Sequence, residues 1–180
     1  DPIFRKYHQN QITFSFMYAY SENYVLVLSH DEVVHLKKSM IYKMPGNMPD
    51  KFGNLRAAYG LMMMHPGKKL LFMGQDFAQT AEWNEAKSLD WYLLERYPEH
   101  QQLNRYYKDL LHFYHDYPAL YELDNSPEGF AWINGSDAEH NMLTFCRMTK
   151  DKKHCLLCHF NFSPVAYDTF QSGVLCPGTY

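Results

Sequence analysis

Two short stretches carry residues fit for chemistry. Ser29-His30-Asp31-Glu32-Val33-Val34-His35 sets imidazoles and carboxylates side by side, and Gly74-Gln75-Asp76-Phe77-Ala78-Gln79 adds a further carboxylate flanked by amides. Each follows an apolar run, Tyr24-Val25-Leu26-Val27-Leu28 and Lys69-Leu70-Leu71-Phe72-Met73. An apolar run without alternation suits a parallel strand covered on both faces. In a parallel β/α sheet, functional groups gather where strands end and loops begin. The two stretches therefore predict a polar cluster at one rim, above an apolar floor. The plainer use of Asp31 and Asp76 is to cap helices or loops, and placement alone does not choose between the two.

Other constellations point nowhere specific. Cys155-Leu156-Leu157-Cys158-His159 spells the C-x-x-C-H of haem attachment. Its surroundings, His154 to Phe162 between Lys152-Lys153 and Ser163-Pro164, read as a β-strand. Positions three apart on a strand face opposite sides, so Cys155 and Cys158 point apart and neither haem nor zinc is expected. His112 and His115, near Asp116 on a helix, read as a partly solvated face rather than a metal site. There is no G-x-S-x-G elbow, P-loop or G-x-G-x-x-G. No metal and no cofactor is expected.

The elements that must position these residues follow from periodicity. Ile12, Phe16, Ala19 and Tyr20 fall on one face of a predicted helix over 12–20. A loop rich in Lys, Pro and Gly runs from Glu32 to about Pro49. Asp50 is placed to cap a second helix with Phe52, Leu55, Tyr59 and Met62 on one face, stopped by His65-Pro66-Gly67. A long polar and aromatic stretch leads to a last helix through Leu103, Tyr107, Leu110, Leu111 and Tyr114, closed by Pro118. The order helix, strand, helix, strand, helix predicts parallel β/α architecture. Beyond Pro118, Gly129–Ile133, Met142–Cys146 and Cys155–Phe162 are short runs separated by the turn clusters Asn134-Gly135-Ser136-Asp137 and Lys150-Asp151-Lys152. This half predicts an antiparallel β-sandwich, with a boundary near 118–126.

Composition narrows the class. The chain has 180 residues, 46% hydrophobic and 21% charged, which is globular and of about one-domain size. Its net charge of −3 offers no broad cationic field, so nucleic acid is not an expected partner. No apolar run approaches the ~18 residues of a membrane span, and no membrane is expected. The start Asp1-Pro2-Ile3-Phe4-Arg5 lacks the order of a signal peptide. Reduced thiols at Cys146, Cys155, Cys158 and Cys176 and a cytoplasmic location are expected. Aromatics reach 17%, which fills a core and also supplies flat faces for sugars or bases.

Leu28-Ser29-His30-Asp31-Glu32-Val33-Val34-His35 resembles the fourth sequence region of the α-amylase superfamily, in the form seen in bacterial glycogen branching enzymes. The resemblance continues through Lys43-Met44-Pro45-Gly46, Lys51-Phe52-Gly53-Asn54-Leu55-Arg56, His65 to Gly74, Glu82-Trp83-Asn84, Ser88-Leu89-Asp90-Trp91, Pro118-Ala119-Leu120, Pro127 to Ile133 and Cys158 to Val165. It implies α/β plus all-β architecture: 1–117 as the C-terminal part of a (β/α)8 TIM barrel, 118–180 as a C-terminal all-β domain, cut short.

The implied reaction cuts an α-1,4-glucan and re-attaches the segment through an α-1,6 link, with the retaining logic of paired carboxylates. In that frame Asp31 matches the acid that stabilises the transition state, and His30 the histidine that bonds the same sugar. Glu32, His35, Gln75, Asp76, Trp83 and Trp91 are the implied substrate contacts. The implied partner is an α-glucan polysaccharide, glycogen or amylose chains. Two positions depart from the family: Leu36 stands where Gly is common, and Gln75-Asp76 where Asn-Glu is frequent. A side chain at 36 disfavours positive φ.

The family's nucleophile and acid/base lie on earlier strands, and no stretch here resembles those regions. A closed barrel needs about 250 residues. The chain is therefore expected to need the rest of the barrel for closure and to be inactive alone. A non-catalytic glucan-binding module and a fragment of an α-amylase-type hydrolase are the alternatives.

Overall fold

The computed structural model describes residues 2–175 and 177–178; Cys176 lies outside them. In chain order the regular elements are α1 (Gln9–Thr13), β1 (Val25–Leu28), α2 (Met40–Lys43), α3 (Met48–Met64), β2 (Lys68–Leu71), α4 (Tyr92–Arg96), α5 (Pro98–Asp116), β3 (Phe130–Asp137), β4 (Met142–Met148) and β5 (Cys155–Asn161). Short 3-10 turns fill the gaps, among them His30–Glu32 and Gln75–Phe77. Among the described residues no helix is long and apolar enough to cross a membrane. Two compact units emerge: Val25–Met63 with Lys69–His115, and Asp1–Tyr24 with Met64–Lys68 and Asp116–Tyr180.

In the first of these, β1 and β2 are neighbours. Lys68 N–H donates to the Tyr24 carbonyl at 3.1 Å and Phe72 N–H to the Leu28 carbonyl at 2.9 Å. Both strands advance in the same sense between these bonds, so the pair is parallel, with α3 in the crossover that such a pair requires. The strands are not covered on both faces as their apolar runs predict. Leu28, Leu71 and Phe72 pack on a core of Val33, Ile41, Phe52, Leu55, Tyr59 and Leu103. Val25 and Val27, on the other face, are each 48% exposed. With one pair of strands and helices on one side, half of each apolar run stays open.

The start of α3 refines the capping expectation. Asn47 Oδ1 accepts the Asp50 N–H at 3.0 Å while Asp50 Oδ2 accepts the Asn47 N–H at 3.2 Å. This is a reciprocal capping box: Asn47 is the cap and Asp50 its third-position partner. The predicted face of Phe52, Leu55, Tyr59 and Met62 is buried. On α5, Leu103 is buried but Leu111 is exposed, and His112 and His115 are exposed too.

The second unit holds the antiparallel sheet, ordered β3-β4-β5. It is one three-stranded sheet among the described residues, not the two packed layers of a sandwich; after Asn161 the described chain runs without regular structure. The predicted turn Asn134–Asp137 is instead strand, and the chain reverses at residues 138–141. The predicted helix over 12–20 is a short α1 followed by a 3-10 turn, Phe14–Met17. An isolated five-residue helix has little cooperative stability, and tertiary contacts decide the path here. The Phe16 ring lies 4.8–5.6 Å from those of Phe130, Trp132 and Phe145, and Gln9 Nε2 donates to the Met142 carbonyl at 3.0 Å.

Cys155, half-buried, and Cys158, buried, lie on β5 as free thiols, and Cys146 is buried on β4. Burial pushes the Cys158 thiol up to about 12, which leaves it protonated and unreactive at neutral pH.

Candidate functional site

The polar rim is built at the ends of β1 and β2. Past Leu28 the chain turns because Ser29 Oγ accepts the Asp31 N–H at 3.2 Å, opening the 3-10 turn His30–Glu32. The His30 ring is held by neighbours from the other strand end: 5.9 Å from Phe72 and 5.5 Å from Trp83, which themselves meet edge to face at 5.5 Å. Its Nε2 lies 3.4 Å from Asp31 Oδ1. The Asp31 carboxylate is 70% exposed. The pair thus shows a fixed imidazole beside an accessible acceptor.

Gln75 ties the two strand ends together. Its Nε2 donates to the carbonyls of Leu28 and Ser29, at 3.3 Å each, and its own carbonyl accepts from Tyr59 Oη at 3.0 Å. This buried amide fixes the turn that presents His30 and Asp31 and does not face solvent. Asp76 also points away from the expected role. Asn104 on α5 donates to its Oδ2 at 2.7 Å, and burial raises its pKa against the lowering effect of local N–H donors and Asn104. Glu32 is exposed beside Asp31. The Trp91 ring lies 5.4 Å from that of Phe77, tilted against it, and is half exposed. Trp83 and Trp91 line one cavity of about 470 Å³ with Gln79, Glu82, Asn84 and Asp90. So the structure gathers His30, Asp31 and Trp83, and assigns Gln75 and Asp76 to the scaffold.

Sequence reasoning missed Glu82. Its carboxylate accepts the N–H groups of Leu36 at 3.0 Å and Lys38 at 2.8 Å, and lies 3.6 Å from His35 Nδ1. Leu36 (φ 68°) and Lys38 (φ 66°) are both left-handed, a conformation that costs a non-glycine residue about 1–2 kcal/mol. The bulk of Leu36 therefore does not prevent positive φ: its side chain is exposed, and Glu82 holds the backbone in place. The next residue, Trp83, donates its N–H to the Val33 carbonyl at 2.8 Å. Nothing in local spacing marks a carboxylate 46 residues away as the partner of this turn.

The Lys38 N–H, then the Leu36 N–H and His35, hold the Glu82 carboxyl below the usual carboxylate range. A depressed folded-state pKa means stabilisation that is present above the unfolded value of about 4.3 and is lost as pH falls through the folded one. Protection factors at the Leu36 and Lys38 amides should therefore fall at pH below that range. In Glu82→Ala they should be lower by about tenfold at neutral pH, without the acid step. Unchanged exchange in Glu82→Ala would remove the clamp from the account.

Residues 132–180 match the family described as alpha amylase, C-terminal all-beta domain. Across 97% of its length the chain is 49% identical to the 1,4-alpha-glucan branching enzyme of Shewanella frigidimarina and 53% identical to that of Aquifex aeolicus. Across its whole length it is 48% identical to that of Oceanobacillus iheyensis. Over nearly its whole length the chain is similar to one part of bacterial 1,4-alpha-glucan branching enzymes. It spans about a quarter of the length of these relatives, 23–28% of each. The Leu36 departure from the family pattern falls on the Glu82-held turn. The Gln75 departure falls on the amide that reaches the Leu28 and Ser29 carbonyls.

Proposed function

We propose that this chain is the part of a 1,4-α-glucan branching enzyme that supplies the last strands of its barrel, the transition-state-stabilising acid and the C-terminal β domain. Residues 1–117 would form the end of a (β/α)8 barrel and 118–180 the C-terminal all-β domain. The parallel β1-α3-β2 unit supports this, as does the open apolar face of Val25, Val27 and Leu70, which further barrel strands would cover. Free thiols suit a reducing compartment, hence the cytoplasm.

The observation that carries the reading is the His30–Asp31 pair at the tip of β1, braced by Phe72, Trp83 and Gln75. A carboxylate accepts from two sugar hydroxyls and an imidazole N–H donates to one. If those bonds shorten as the ring flattens toward an oxocarbenium-like transition state, they lower the barrier and do not merely bind substrate. Glu32 and His35 lie on the same loop, and Trp83 and Trp91 offer ring faces along their shared cavity. Gln75 and Asp76 act from behind, through the backbone and α5.

The test is an iodine-staining assay on amylose. The full-length protein should form branches. The isolated chain should form none, because no residue in it matches the family's nucleophile or acid/base. Branched product from the chain alone would overturn the reading. Reducing sugar released without branching would favour a hydrolase.

A further inference from the structure

The sheet of the second unit carries a built pocket that the proposed reaction does not use. Along β3 the register slips twice. Trp132 to Asn134 spans two residues against one on β4, Phe145 to Thr144. Asn134 to Asp137 then spans three against two, Thr144 to Met142. Bulges of this kind re-aim side chains and gather at functional places. Asn134, Asp137 and Thr144 line a cavity of about 170 Å³ with Ile133, and Phe170 and Ser172 from the chain after β5 help to wall it.

Its polar groups are held by two histidines. His140 Nδ1 lies 2.7 Å from Asp137 Oδ1, which also accepts the His140 backbone N–H at 3.3 Å. Thr144 pairs with His159 on β5, and Thr144 Oγ1 and His159 Nδ1 are hydrogen-bonded at 2.7 Å. The Phe170 ring lies 6.0 Å from the His140 ring and 5.1 Å from the His159 ring. The same two imidazoles thus orient a carboxylate and a hydroxyl and seat an aromatic wall. Such support is what a pre-organised binding site needs.

The lining selects a ligand class. One carboxylate without a cationic neighbour in the lining repels anions, and it falls far short of the six to eight oxygens a calcium ion takes. Two amides (Asn134 and Gln171), two hydroxyls, a carboxylate and one ring face suit a neutral polyhydroxy ring, whose hydroxyls find acceptors and donors and whose C–H face lies on Phe170. The volume admits one pyranose rather than a run of them.

We infer that this pocket is a non-catalytic subsite for the terminal glucose of an α-glucan, anchoring a chain end on the β domain. The inference rests on the α-glucan reading above. The experiment is a titration of the protein with maltotetraose, followed by NMR at the amides of Asn134, Thr144 and Phe170. Saturable shifts are expected there, and Asn134→Ala and Phe170→Leu should each weaken binding by about tenfold. Asn134 and Phe170 are exposed, and thermal melts of both variants check that the fold survives. β-Cyclodextrin has no chain end and should leave these signals in place.

Equal binding of the cyclodextrin at this pocket, or unchanged affinity in both variants, would overturn the inference. Shifts confined to Trp83 and Trp91 would overturn it while leaving the glucan reading intact. No shift anywhere in the protein would count against both.

Discussion

Asp31→Asn in the full-length protein should reduce branching by about 10²–10³-fold, the loss that follows removal of one preorganised transition-state contact, about 2.7–4 kcal/mol. The fall should lie in kcat, with KM for amylose little changed, because the contact is made in full only as the ring flattens. Stability should barely move. The carboxylate is 70% exposed and its nearby partners, Ser29 and His30, are local; such substitutions usually stay within about 0.5 kcal/mol. Iodine staining and a thermal melt on one preparation read both quantities. Full branching in Asp31→Asn would remove Asp31 from the mechanism. A large drop in melting temperature would mean a structural role instead.

Asp124→Asn should destabilise the second unit by about 3–5 kcal/mol, the usual cost of leaving one partner of a buried ion pair alone. Arg147 is 0% and Asp124 2% exposed, with Arg147 Nη2 2.9 Å from Asp124 Oδ1. The guanidinium also donates to the carbonyls of Met64 at 2.7 Å and Leu120 at 3.0 Å, while its Nε has no hydrogen-bond partner among the described residues. Lys68 Nζ adds a contact to Asp124 Oδ2 at 3.1 Å. Tyr20 shares this environment, and burial raises its pKa to about 12. The pair is a constraint as much as a support. The double replacement Asp124→Leu with Arg147→Met should therefore cost less than Asp124→Asn alone, since neither leaves a charge behind. Urea denaturation measures both. A loss under about 1 kcal/mol for Asp124→Asn would show that the pair is dispensable.

Much of this molecule is legible in the residue order, because burial repeats with the period of the local backbone. The Phe52, Leu55, Tyr59 and Met62 stripe marks α3, apolar runs mark β1 and β2, and the short run from Cys155 marks β5. The placing of His30 and Asp31 at a strand tip follows from the same logic. Periodicity is less informative where the chain is short or its neighbours decide. The 12–20 helix gives way to Phe16 packing on the sheet, and the Asn134–Asp137 turn is absorbed into bulged strand.

What the sequence by itself determined is therefore which residue types stand at the ends of which elements, together with the family they resemble. The tertiary structure alone decided what each of them touches. Gln75 reaches back to the carbonyls of Leu28 and Ser29, Asp76 turns to Asn104, and Glu82 holds Leu36 and Lys38 in left-handed geometry. These are hydrogen bonds between residues 28 to 47 positions apart. Local backbone preference carries information over a turn or two of chain, whereas a hydrogen bond needs two atoms about 3 Å apart, and only the packed fold brings such distant residues that close.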